Sequence, residues 1–113
     1  MIMAMDITHV QDIIVISLPQ RFDANNAPEI ESEFRTLLAG SPRKVLLDFS
    51  RADYIASAGL RVLLLITRDQ MKAGGKIVLA GIKPQVHKVF EMAGFTSIFT
   101  IRISREEAIR TLS

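Results

Sequence analysis

Ser57 stands between two apolar runs, Val45-Leu46-Leu47 before it and Leu60 to Ile66 after it. The first reads as a buried strand and the second as a helix. A serine at a helix start places its hydroxyl near backbone N–H groups that have no partner within the helix. Those groups and the positive end of the helix dipole favour an anion. Ala56 and Ala58 leave room around the hydroxyl, and Gly59 has no side chain to obstruct a close approach. A phosphate added to Ser57 would be tolerated and would put close to two negative charges on the surface. A partner that buries the neutral serine would then reject the chain, because an unpaired buried dianion is costly. Serine is also among the commonest helix caps. Spacing alone leaves modification and plain capping both open.

The helix that follows has two faces. Leu60, Leu63, Leu64 and Thr67, with Val62 and Ile66 beside them, form a core-facing side. Arg61, Leu65, Arg68 and Lys72 recur on the opposite side, a basic stripe with one apolar residue. Such a stripe can dock an acidic partner surface or can simply be solvated.

Other chemistry finds less support. His9 and His87 fall in a predicted strand and a predicted helix, with no carboxylate at ligand or triad spacing. Asp23, Asp48 and Asp53 lack the glycine-punctuated loop of a carboxylate cation site. Gly74-Gly75-Lys76 lies between a helix and a strand, the reverse of the order a phosphate-binding loop requires. The chain has no cysteine, which excludes disulfides and thiolate metal sites. No enzyme and no cofactor are read. The net charge of +2 comes without a basic block, so no direct nucleic-acid binding is expected. The longest apolar run, Val62 to Ile66, falls far short of the roughly 20 residues a membrane span needs. A cytoplasmic location is expected.

The elements that must position Ser57 follow from pattern and punctuation. With 113 residues and 49% apolar content, one domain spanning 1–113 is expected. Asp6 to Val10 and Ile13 to Leu18 predict a hairpin around Gln11-Asp12, its second strand central because both faces are apolar. Pro19 ends that strand. Asn26 is the candidate cap of a first helix, with Pro28 in its first turn and Ile30, Phe34, Leu37 and Leu38 toward the sheet. Gly40-Ser41-Pro42 stops it. Strands follow at Lys44–Phe49, Lys76–Ala80 and Ser97–Arg102. Helices are expected from Ser57 to about Lys72, and from Lys83-Pro84 to Gly94 with Val86, Val89, Phe90 and Met92. A last helix runs to Leu112 behind the capping pair Ser104 and Glu107. The alternation gives an α/β fold: a mixed sheet of four to five strands with about four helices packed on it.

Leu47-Asp48-Phe49-Ser50 and Tyr54-Ile55-Ala56-Ser57-Ala58-Gly59-Leu60 resemble the signature of the STAS family, in particular the bacterial anti-sigma factor antagonists. Phe22-Asp23-Ala24 is similar to that family's acidic loop, Gly74-Gly75-Lys76 to its glycine turn, and Val89 to Phe95 to its late helix. The resemblance implies that Ser57 is phosphorylated by a partner that is both anti-sigma factor and serine kinase. It implies that the unmodified form binds this partner and frees the sigma factor, and that a serine phosphatase resets the switch. Asp23, Ala56, Ala58, Gly59, Arg61, Leu65 and Arg68 are the expected partner-binding residues, with Asp23 near the serine. Ala56 departs from the acidic residue usual before the serine. STAS-like single domains also accompany lipid or anion transporters, where they pack on an ATPase without phosphorylation.

Overall fold

A computed structural model describes residues 5–39 and 43–113. In chain order the elements are β1 (Asp6–Val10), β2 (Ile13–Ser17), β3 (Arg21–Phe22), α1 (Ala27–Leu37), β4 (Lys44–Asp48), β5 (Tyr54–Ile55), α2 (Ser57–Lys72), β6 (Lys76–Ala80), α3 (Pro84–Met92), β7 (Thr100–Arg102) and α4 (Arg105–Leu112). The fold is the expected mixed sheet with helices packed on it. Its five strands lie in the order β1-β2-β4-β6-β7. β1 and β2 pair antiparallel, with Val10 opposite Ile13 across the Gln11-Asp12 turn. From β2 onward every neighbour is parallel.

Each parallel step moves to the next strand in the same direction. Right-handed crossovers then put the three connecting helices on one face. Side-chain packing agrees. Ile14, Ile16, Val45, Leu47, Ile77 and Leu79 meet the buried residues of α1, α2 and α3. The alternate residues Ile13, Val15, Leu46, Val78 and Ala80 meet Ala108 and Leu112 of α4 on the other face. Interior strands are therefore apolar on both sides, as β2 is.

The same parallel order brings the carboxyl ends of β2, β4 and β6 and the starts of α1, α2 and α3 to one end of the sheet. Binding sites in such sheets lie at this end. Phe49, just past β4, is buried there and meets Phe90 edge-on at 6.0 Å. Phe90 in turn meets Phe99 at 5.6 Å. Gly94 ends α3 at φ +75°, which lets Phe95 N–H reach the Phe90 carbonyl at 2.9 Å. Ser104 caps α4 by accepting from Glu107 N–H, and the Glu107 carboxylate accepts from Ile103 N–H.

Several expectations need correction. Asn26 sits at the cap position of α1 but does not cap it; its amide donates to the Arg21 carbonyl and accepts from Asp23 N–H, closing the loop instead. The strand expected over Ser97–Arg102 is only Thr100–Arg102, because 96–98 form a turn. Met92 lies at the last turn of α3 and is 86% exposed. The strands expected to end at Leu18 and Phe49, β2 and β4, each close one residue earlier, at Ser17 and Asp48. The expected stop at Gly40-Ser41-Pro42 lies outside the described residues.

Candidate functional site at the start of the second helix

The segment from β4 to α2 is fastened at each step. Phe49 N–H donates to the Ala80 carbonyl at 2.9 Å, and Asp48 Oδ1 accepts from Ser50 N–H at 2.9 Å. Ala52 N–H closes a turn onto the Phe49 carbonyl. Asp53 and Tyr54 both donate to the Gln20 carbonyl, at 2.8 and 3.3 Å. Tyr54-Ile55 then pairs in parallel with Arg21-Phe22, a two-stranded ribbon separate from the main sheet. Ala56 N–H donates to the Phe22 carbonyl at 2.9 Å. Ala56 is extended, and its own carbonyl accepts the N–H groups of Gly59 and Leu60. That change of direction starts the helix.

Ser57 is the first residue of α2 and is exposed. The helix begins at the expected residue, with Ala56 rather than Ser57 in the cap position. No side chain caps it, and no acidic residue lies in its first turn. Ala56 and Ala58 flank the serine and are half-buried. Gly59 is buried, so it does not take the partner-facing role expected of it, and the close approach expected there is made by backbone. A Cβ there would stand 2.9 Å from the Phe22 carbonyl oxygen and ring and 3.0 Å from Ile55. The close approach is made by this chain's own β3, so Gly59 seats the helix and offers no surface to a partner.

Asp23 directly follows Phe22 as Ala56 follows Ile55, which brings the acidic loop beside the start of α2. Its carboxylate is engaged: Oδ1 accepts from Asn25 N–H at 3.0 Å and Oδ2 from Arg21 Nε at 3.3 Å. The Arg21 guanidinium also lies 4.5 Å over the Tyr54 ring. Further along α2, Arg61, Arg68 and Lys72 are exposed and Leu65 is half-buried. Leu60, Val62, Leu63, Ile66 and Thr67 are buried on the opposite side.

The remaining acidic residues and histidines disperse. Asp53 pairs with Lys83 Nζ and accepts from Gln20 Nε2 at 2.7 Å. The Lys83 bond first, then that from Gln20, holds the Asp53 carboxyl below its usual pKa. Asp48 Oδ2 faces Arg105 at 4.0 Å. Among the described residues no three His, Asp or Glu converge as a metal site. His9 is exposed on β1. His87 does have a carboxylate, contrary to the spacing argument: Nδ1 meets Glu91 Oε1 at 2.8 Å, one turn on along α3. Among the described residues no helix is long and apolar enough to cross a membrane.

Sequence reasoning missed two fasteners. The Asp53–Lys83 and Asp53–Gln20 bonds span 30 and 33 residues, and nothing local signals them. Buried Gln70 near the far end of α2 accepts from Arg43 N–H at 3.0 Å, a tie across 27 residues. A glutamine on an otherwise apolar helical face was the available signal.

A mixed sheet with three helices on one face, and an exposed serine at the start of the middle one, defines a compact class of domain. The STAS domain family matches residues 4–108, and the chain belongs to that family. A protein of Bordetella bronchiseptica named "Putative anti-sigma factor antagonist BtrV" is 38% identical over 106 residues, covering 94% of this chain and 91% of its own. An anti-sigma-factor antagonist (STAS) domain protein from Planctomyces limnophilus superposes with a TM-score of 0.87 at 23% identity, covering 96% and 97% of the two chains. The anti-sigma factor antagonist SpoIIAA in its unphosphorylated form superposes at 0.78 with 24% identity and 96% of each chain covered. SpoIIAA of Bacillus in the phosphorylated form superposes at 0.70, with 22% identity and 97% and 100% covered. The structural likenesses show the fold.

Proposed function

We propose that this chain is a cytoplasmic anti-sigma factor antagonist switched at Ser57. The unmodified form binds an anti-sigma factor that is also a serine kinase and so releases the sigma factor. The kinase moves the γ-phosphoryl group of ATP to Ser57 Oγ. The β–γ bridging bond breaks, ADP leaves, and the hydroxyl proton passes to a base on the kinase. A serine phosphatase restores the hydroxyl. The chain is the phosphoryl acceptor and supplies no catalytic group.

The observation that carries this reading is Ser57 itself: exposed, first in its helix, and flanked by alanines. The relationship to BtrV and the two phosphorylation states of SpoIIAA support it. The partner surface is read as Ser57, Ala56, Ala58 and Asp23 at one end, continuing along Arg61, Leu65 and Arg68. Ala56 brings no acceptor, and Asp53 does not replace one, because Lys83 and Gln20 hold its carboxylate. Kinase recognition must then come from the backbone and the basic stripe.

The test is phosphorylation by the cognate kinase with ATP, mapped by mass spectrometry, together with calorimetric binding. Phosphate is expected on Ser57 alone, none on Ser57→Ala, and at least tenfold weaker binding for Ser57→Asp. An unmodified Ser57, with Ser57→Asp binding as tightly as wild type, overturns the switch. Co-purification with a transporter ATPase instead would select the accessory-subunit reading.

A further inference from the structure

We propose that Arg61 is an internal latch for the phosphate on Ser57. In the modified chain its guanidinium turns back one helical turn, binds the phosphate, and is withdrawn from the partner-facing stripe. This rests on the reading of Ser57 as the modified residue.

The molecule carries its own template for the contact. In α1, Glu31 lies four residues before Arg35, and both Nε and a terminal nitrogen of Arg35 reach Glu31 Oε2, at 3.2 and 2.9 Å. An acid one turn before a base is the favourable direction for such a pair. Ser57 and Arg61 have the same spacing and direction, and both lie within α2. A phosphate turns the serine into the missing acid, with three strong acceptor oxygens. A planar guanidinium suits them.

Arg61 is available for the role. Its side chain is exposed and makes no hydrogen bond or ion pair among the described residues. Neither Ser57 and Ala58 before it nor Leu64 and Leu65 after it offers a carboxylate. The cations of the neighbouring loops already have acids: Arg21 has Asp23, Arg51 has Asp6, and Lys83 has Asp53. Asp23 is the acid that stands against a phosphate here, and its own bonds to Arg21 and Asn25 hold it in the loop. Phosphorylation then acts twice on an acidic partner: it adds negative charge, and it removes the first cation of the stripe.

The test installs phosphoserine at position 57 during translation, so that it needs no kinase, and follows the phosphate by ³¹P NMR from pH 4 to 8. The second phosphate pKa is expected to lie about 0.3 unit lower in the wild-type background than in Arg61→Gln, with Arg61→Lys recovering part of the difference. The helix dipole acts on all three and cancels. Amide spectra confirm that the variants are folded. Equal phosphate pKa values in the wild type and Arg61→Gln overturn the latch. A kinase that leaves Ser57 unmodified sinks the functional reading but does not alter this titration, so the two failures are separable.

Discussion

α1 and α2 lie side by side on one face of the sheet, yet they begin in opposite electrical states. α1 carries Glu29 in its first turn, and its arginine, Arg35, is held by Glu31 and lies 3.8 Å from Asp69 of α2. Its first turn has an acid, and its arginine has two acids beside it. α2, which like α1 has no side-chain cap, starts with no acid, and its first arginine has no acid among the described residues. Mechanically the order reverses. The loop before α1 is closed by its own Asn26 and Asp23, whereas the start of α2 is bolted to β3, to Gln20 and, through Asp53, to α3. A helix whose start is rigid and uncompensated can accept a negative group without moving. That combination is what a modified serine needs, and α1 lacks it.

The mechanical half of the contrast gives the largest effect. Gly59→Val drives new atoms into the Phe22 backbone and ring, contacts that already stand at 2.9 Å for a single Cβ. A cost of roughly 2–3 kcal/mol is expected in urea denaturation. Ser32→Val on the exposed side of α1 should stay within about 0.5 kcal/mol. Equal losses would mean that the start of α2 is no more tightly seated than the middle of α1. Next comes Gln70→Leu, which leaves Arg43 N–H without its partner, at about 1–2 kcal/mol. A change below about 0.3 kcal/mol would mean that water replaces the amide.

The electrical half is smaller and has opposite signs on the two helices. Ser57→Asp places a carboxylate in the bare first turn and should raise stability by about 0.3–1 kcal/mol at low salt. Glu29→Gln should lower it by a similar amount. Thermal denaturation in 20 mM and 500 mM salt reads both, since screening shrinks each. If both variants are destabilised, the start of α2 is not short of negative charge.

How much of this could be read from the chain depends on the range of the interactions. The four helices and the β1, β2, β4 and β6 strands were legible because period and punctuation agree over five residues or more. β3 and β5, at two residues each, are too short to show a period, and they are what hold Ser57 in place. Asn26 looked like a cap because composition cannot say which way an amide turns. Gly59 was legible as a position open to a close approach, but not as one filled by Phe22, 37 residues earlier. Ser57 needed only local information, and its helix starts at the residue expected. The ties from Asp53 and Gln70 needed tertiary contacts that no local pattern encodes.

Asp53 gives a pH test of the seat of α2. Lys83, then Gln20, depresses its folded pKa below the ordinary 3.8. The unfolded chain therefore takes up its proton first as pH falls. The contribution is whole above about pH 4 and is lost as pH drops through the folded value. Wild type should lose stability between pH 5 and 2 more steeply than Asp53→Asn, with the curves parallel above pH 5. Identical slopes would show that the Lys83 contact is not held in solution.

The smallest effect sharpens the comparison most. Glu31→Gln removes the carboxylate that holds Arg35 and should cost only about 0.2–0.5 kcal/mol, vanishing at high salt. Its value lies in a double-mutant cycle with Arg35→Gln, which isolates the coupling of an acid and an arginine at this spacing in this protein. The same cycle between phosphoserine at 57 and Arg61 should return a larger coupling, because the phosphate carries nearly twice the charge and more acceptor oxygens. A phosphoserine coupling below that of Glu31 with Arg35 would mean that Asp23 or solvent competes successfully for the phosphate or the guanidinium. The two helices would then differ in rigidity alone, and repulsion of the partner by the phosphate would have to do the switching without Arg61.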